Sequence, residues 1–130
     1  MQWYEFTMKL HHHTLIVKDM DETLKVFCDY LGHKLVARSA GFGENMEIAF
    51  VEDRHTGHRI ELCSRKNGTG KMDHIAYEVE NVDKKFMELK EKEGLESDTE
   101  PFTLNQFNVR MAFLRDRNGF RIQLIKYNTD

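Results

Sequence analysis

GHRIEL (57–62) and GFRIQL (119–124) are two versions of one hexapeptide, and their spacing decides the fold. Gly57 and Gly119 are 62 residues apart, and this offset superimposes other parts of the chain without an insertion. Between residues 10–64 and 72–126 it relates eight identical pairs, four within the hexapeptides and four before them: His12 with His74, Val17 with Val79, Asp21 with Asp83, and Gly32 with Gly94. So many matches at one offset indicate an internal duplication.

Each copy predicts a strand, a helix and three further strands. The helices carry apolar side chains at matching spacings of four and three residues, on Met20, Leu24 and Phe27 and again on Val82, Phe86 and Leu89. The predicted elements are strand 11–18, helix 20–31 and strands 34–39, 45–52 and 58–64, then strand 74–80, helix 82–93 and strands 97–103, 107–115 and 119–127. We therefore predict an α+β fold with two tandem βαβββ modules.

The two modules span residues 10–64 and 72–127, and the chain of 130 residues has the length of a single domain, 1–130. A net charge of −3 provides no basic surface for nucleic acid and no polybasic membrane patch. Two cysteines indicate no disulfide framework, and the first ten residues lack the blocks of a secretion signal. We therefore expect a cytoplasmic protein with a small-molecule partner and without nucleic-acid or membrane partners.

Strand parity selects the polar side chains that share one face of the modules. Side chains alternate between the two faces of a strand, and on the fifth predicted strand His74 alternates with apolar residues that suit a face beneath the helix. The duplication maps His74 onto His12 of the triple histidine at 11–13. The same parity places Glu61 and Gln123 with the two histidines, on the face opposite the helix.

These four side chains form a candidate metal-ligand set. His12 precedes Glu61 by 49 residues and His74 precedes Gln123 by the same 49 residues, so a pseudo-twofold axis would bring all four together. Imidazole nitrogens with carboxylate and amide oxygens suit a divalent ion that keeps open positions for water or substrate. We expect one ion per site, with nickel, zinc, cobalt, manganese and iron all compatible.

Other polar residues near this set have less specific patterns. Arg59 and Arg121 share its face, and we predict that they bind a carboxylate or phosphate of the substrate. His13 alternates to the opposite face and is predicted to be structural or exposed. His58 lies in a hairpin turn, where no partner at a suitable spacing identifies it as a ligand.

At these residues the chain resembles the vicinal oxygen chelate superfamily. This superfamily includes glyoxalase I, methylmalonyl-CoA epimerase, extradiol dioxygenases, and the fosfomycin and bleomycin resistance proteins. The resemblance covers about residues 10–127, and the segments that carry it are HHTLIVKDMDETLKVFCDYLG (12–32), GHRIELC (57–63), DHIAYEVENV (73–82) and DRNGFRIQLI (116–125). It implies that the paired modules form an open, cup-shaped mixed sheet around a divalent ion.

The resemblance also implies a ligand set and a base. The positions that match the ligands of glyoxalase I are His12, Glu61, His74 and Gln123. Bacterial glyoxalase I usually has a glutamate at the fourth position, whereas epimerase relatives have His, Gln, His and Glu, which is this set with the modules exchanged. Glu61 is the only carboxylate of the four, so the resemblance assigns it as the catalytic base.

The implied function is a metal-dependent, glyoxalase-type lyase or isomerase that stabilises an enediolate on a small carbonyl-containing substrate. Ile16 and Arg65 replace the arginine and asparagine expected in glyoxalase I, which argues against glutathione. Two alternatives stay open at this point, a non-haem iron dioxygenase and a ligand-sequestering resistance protein without turnover. We also expect a homodimer, and whether the site forms within one chain or across two stays open at this point, because members of the family do both.

Overall fold

The computed structural model describes residues 8–41 and 43–128. Its first series of elements is β1 (Met8–Val17), α1 (Met20–Leu24) continued by a π-helical segment (Lys25–Tyr30), β2 (Lys34–Ala40), β3 (Glu47–Glu52) and β4 (Arg59–Ser64). The second series is β5 (Met72–Val79), α2 (Val82–Lys90), β6 (Leu95–Leu104), β7 (Val109–Asp116) and β8 (Arg121–Tyr127). Both series have the order βαβββ, so the predicted α+β class and duplicated module are confirmed.

The described chain divides into two units. The first unit is His12–Asp73, and the second begins at His74 and also includes residues 8–11. In the first unit the strands lie in the order β2-β3-β4-β1, with β1 and β4 parallel and the other pairs antiparallel. The second unit has the order β6-β7-β8-β5, with β5 and β8 parallel. The single-domain boundary, 1–130, and the module boundaries stay predictions.

The strand register repeats between the two units. In the first unit Thr14 of β1 pairs with Glu61 of β4, and in the second unit Ala76 of β5 pairs with Gln123 of β8. Each second-unit residue lies 62 positions after its counterpart, so the duplication holds at the level of paired residues on these strands. Side chains at equivalent positions of the first and last strands therefore have equivalent neighbours in the two units.

The helices begin as the sequence predicts but end differently. Asp19 caps α1 by accepting a hydrogen bond from the Glu22 backbone N–H, and Asn81 caps α2 in the same manner. Helix α2 ends at Lys90 instead of the predicted residue 93, because the charged residues that follow offer no apolar side chain to pack on the sheet. Among the described residues, no helix is long and apolar enough to cross a membrane.

Each unit buries an apolar cluster between its helix and its sheet. In the first unit Leu62 of β4 packs with Leu24 of α1, and in the second Leu124 of β8 packs with Phe86 of α2. These leucines occupy the helix face that strand parity assigned to them, and Glu61 and Gln123 immediately precede them. The alternation along β4 and β8 therefore directs both polar side chains to the face opposite the helix.

Replacing Phe86 with alanine is expected to destabilise the protein by about 3–5 kcal/mol, because a fully buried phenylalanine would leave a cavity. Urea denaturation would measure this as a lower transition midpoint at unchanged slope. The matched control is Met87→Ala on the same helix, where the side chain is 52% exposed and the expected change is within about 0.5 kcal/mol. Equal losses in the two variants would contradict the assignment of Phe86 to the core.

Candidate metal centre

The first unit brings His12 and Glu61 together. His12 is 3% exposed on β1, and its Nε2 lies 3.7 Å from Glu61 Oε1 on the adjacent strand. The imidazole packs edge-on against Phe50 of β3, with ring centroids 5.2 Å apart and an interplanar angle of 88°. A buried imidazole held beside a carboxylate supplies one nitrogen and one oxygen donor at the same point on the sheet.

Two further side chains contact the Glu61 carboxylate. Thr14, which is fully buried, donates a hydrogen bond from Oγ1 to Oε1 over 2.9 Å. The Cys63 thiol also donates to Oε1, with 3.5 Å between sulfur and oxygen. Burial and the nearby Glu61 charge raise the pKa of Cys63, so the thiol stays protonated at neutral pH. These donors hold Oε1 and leave Oε2 as the oxygen available for other chemistry.

The second unit brings together His74 and Gln123. His74 is 6% exposed and packs edge-on against Phe113 of β7, at 5.2 Å and 88°. Gln123 is 7% exposed, and its Nε2 contacts Met111 Sδ at 3.3 Å. Its Oε1 is buried and accepts no hydrogen bond from any residue that the structure describes. A buried carbonyl oxygen without a donor is costly unless a ligand satisfies it.

Phe50 and Phe113 support the two histidines in equivalent ways, and the sequence comparison missed them. Phe50 pairs with Glu61 across β3 and β4, and Phe113 pairs with Gln123 across β7 and β8. These phenylalanines are 63 residues apart, because six residues separate the paired Glu52 and Arg59 in the first hairpin whereas five separate the paired Arg115 and Arg121 in the second. The expectation of one offset without an insertion was therefore wrong on these two strands.

The two arginines predicted to bind substrate already have acidic partners. Arg59 Nε lies 3.3 Å from Glu52 on the neighbouring strand. Arg121 Nε lies 3.1 Å from Asp98, and its guanidinium carbon is 4.2 Å from the centre of the Phe113 ring. Each arginine is thus paired with an acidic side chain of its own unit. Substrate binding by these arginines stays a prediction.

A polar pair that the sequence did not reveal lies on the other face of β1. His13 contacts His58, with His58 Nε2 and His13 Nδ1 separated by 3.0 Å. His58 immediately precedes β4, whose parallel pairing with β1 brings the two rings together. The repeat did not reveal this contact, because His58 and His13 correspond to Phe120 and Ile75 in the second copy.

These features define a class of protein, and comparison with known families agrees. The chain belongs to the Glyoxalase/Bleomycin resistance protein/Dioxygenase superfamily, whose model matches residues 9–124. That range runs from the second residue of β1 to the middle of β8, and it contains all four of the predicted ligand positions. The resemblance inferred from the duplicated segments is therefore confirmed at the level of the superfamily.

Individual relatives are more distant. A probable lactoylglutathione lyase of Synechocystis sp. is 29% identical over 126 residues, which cover 88% of this chain and 92% of that protein. A hypothetical protein from Bacillus halodurans C-125 has a similar structure, with a TM-score of 0.77, 21% identity, and coverage of 95% of this chain and 97% of its own. Methylmalonyl-CoA epimerase from Mycobacterium tuberculosis has a TM-score of 0.75 and 18% identity, with coverage of 98% of this chain and 94% of its own. At these identities the two structures establish a shared fold.

Proposed function

We propose that this protein is a metal-dependent lyase or isomerase of the glyoxalase type, acting on a small molecule with a hydrogen alpha to a carbonyl group. The observation that carries the proposal is the buried His12–Glu61 pair, in which Thr14 fixes one carboxylate oxygen. The likeness to a probable lactoylglutathione lyase and the fold shared with an epimerase support the same chemistry. Both relatives' names denote reactions at carbon next to a carbonyl.

The residues of the two units fit a divalent ion. His12, Glu61 and His74 are donor types that together suit such an ion. In this proposal Gln123 supplies the fourth donor, and its buried Oε1 supports that role because an ion would satisfy it. A neutral amide in place of a second carboxylate lowers the negative charge of the set. Once bound, the ion would supply Lewis-acid polarisation of the substrate carbonyl.

Glu61 is the proposed proton carrier. Thr14 and Cys63 both donate to Oε1, so Oε2 is free to take a proton from the carbon alpha to the carbonyl. Glu61 then returns that proton to the adjacent carbon, which completes an isomerisation. The Glu61 side chain is 16% exposed, so a proton held on it can exchange with solvent before it is returned.

The test is a screen for exchange of the alpha hydrogen with deuterated solvent, followed by proton NMR. Protein loaded in turn with nickel, zinc, cobalt or manganese is incubated with two classes of carbonyl compound, hemithioacetals of 2-oxoaldehydes and alpha-branched acyl thioesters. We expect metal-dependent exchange with one class. Absence of exchange in every metal-loaded sample would contradict the proposal.

A second function, an iron dioxygenase, is favoured by one observation, since two histidines and one carboxylate also make up the facial triad of non-haem iron enzymes. The screen distinguishes the two functions, because iron-loaded protein would then consume dioxygen with a catechol and would not exchange hydrogen. The location of the single carboxylate on β4 favours the isomerase, since the extradiol relatives take theirs from the last strand. We also propose that the protein is a homodimer and that it is cytoplasmic. The proposed ion is nickel, zinc, cobalt, manganese or iron.

Replacing Thr14 with valine is expected to slow turnover by about tenfold or more, because hydrogen bonds to charged groups contribute about 1.5–3 kcal/mol. Metal content should be unchanged, since Thr14 is not a proposed ligand. Thr14→Ser keeps the hydroxyl and is expected to restore most of the rate. Steady-state kinetics of the two variants measures this difference, and equal rates for valine and serine would contradict a positioning role for the hydroxyl.

A further inference from the structure

His13 and His58 form a close pair of imidazoles in the first unit. His13 lies on β1, and His58 immediately precedes the parallel strand β4. The nearest ring nitrogens are 3.0 Å apart, and the ring centroids are separated by 4.9 Å at an interplanar angle of 29°. Because side chains alternate along β1, this pair lies on the face opposite His12 and is separate from the proposed catalytic centre.

The separation of the two nitrogens matches that of two imidazoles bound to one metal ion. With metal–nitrogen bonds of about 2.0–2.1 Å, cis ligands at a right angle lie about 2.9 Å apart, and tetrahedral ligands about 3.3 Å apart. The observed 3.0 Å falls within that range, and without a metal the two rings share a hydrogen bond at this distance. Both side chains are half-buried, which leaves room for water to complete the coordination.

The way in which the two rings are held also suits a metal. Two strands that are already paired hold the rings in place, and therefore little additional ordering of the backbone accompanies binding. Neutral imidazoles favour the later first-row divalent ions, with Cu²⁺ bound most tightly.

We propose that His13 and His58 form a second metal site, selective for late first-row divalent ions and strongest for Cu²⁺. The site joins β1 to the turn that leads into β4, so an ion bound there would hold the start of the strand pair. It is independent of the proposed enzymatic activity, because neither histidine belongs to the proposed catalytic set.

The experiment is a Cu²⁺ titration followed by electron paramagnetic resonance, on the wild-type chain and on His58→Ala. The wild type is expected to bind two equivalents of copper, one at the proposed catalytic set and one, with nitrogen hyperfine coupling from two imidazoles, at His13 and His58. His58→Ala is expected to bind one equivalent fewer. The matched control is His55→Ala, in the same turn and exposed, which should bind as many equivalents as the wild type. An unchanged number of bound copper equivalents in His58→Ala would overturn the proposal.

Two further measurements keep this result separate from the proposed function. Thermal unfolding of each variant without metal verifies that the fold is retained, and added Cu²⁺ should raise the unfolding temperature of the wild type and His55→Ala more than that of His58→Ala. A His12→Ala/His74→Ala chain should still show the two-imidazole copper signal. Loss of the signal in that chain, with the fold intact, would place the copper at the other face and contradict the second site.

Discussion

Glu61→Gln is expected to abolish exchange of the substrate's alpha hydrogen with solvent while the protein keeps its metal. Removing a general base typically lowers the rate by about 10²- to 10⁴-fold. The glutamine side chain still offers a carbonyl oxygen for coordination, but it cannot take up a proton at ordinary pH. The substitution therefore separates the two roles assigned to one side chain.

The measurement is solvent-exchange NMR with metal content determined in parallel. Gln123→Glu is the matched comparison, because it adds a carboxylate at the equivalent position of the second unit and recreates the ligand set of bacterial glyoxalase I. We expect this variant to retain exchange and to gain turnover of hemithioacetals. Full exchange by metal-loaded Glu61→Gln would exclude Glu61 as the base and would move the proton transfer to another group.

The double variant His12→Ala/His74→Ala is expected to lose its metal and, with it, all activity. Changing a residue that only supports a ligand commonly lowers metal affinity by about 10- to 100-fold, so removing two proposed ligands should exceed that range. Both histidines are nearly fully buried, and alanine at these positions removes the donor atom that each strand contributes to the proposed set. Elemental analysis of protein purified without chelators measures the loss directly.

A control is needed because both histidines also pack against phenylalanines. His12→Gln/His74→Gln keeps polar bulk beside Phe50 and Phe113, and thermal unfolding without metal shows whether either double variant has lost the fold. Equal metal content in the wild type and in a folded double alanine variant would refute the ligand assignment.

The sequence predicted the parts of the fold that depend on periodicity. The repeat and the alternation along β4 were enough to place Leu62 and Leu124 beneath the helices and to direct Glu61 and Gln123 to the other face. The starts of both helices, at residues 20 and 82, were also predicted, because apolar side chains recur there at helical spacing. The parallel pairing of β1 with β4 was not predicted, although its register recurs in the second unit, with Ala76 opposite Gln123 as Thr14 is opposite Glu61.

Features that depend on contacts between side chains were not predictable in this way. One extra residue in the first hairpin turn shifts β3 relative to β7, so Phe50 and Phe113 never align at the offset that identified the ligands. The acidic partner of Arg121 was not predicted either, because Asp98 lies on β6, two strands away from β8 in the sheet. The pairing of His13 with His58 required the register of two parallel strands.

The unequal chemistry of the two copies has a stereochemical consequence. Thr14 and Glu61 in the first unit correspond to Ala76 and Gln123 in the second, so only one copy carries a carboxylate with a hydroxyl to hold it. A single base takes a proton from one side of a planar intermediate and returns it to that same side. Under the proposed isomerase reaction the new centre would form with one handedness, and a chiral analysis of the product would show a single enantiomer.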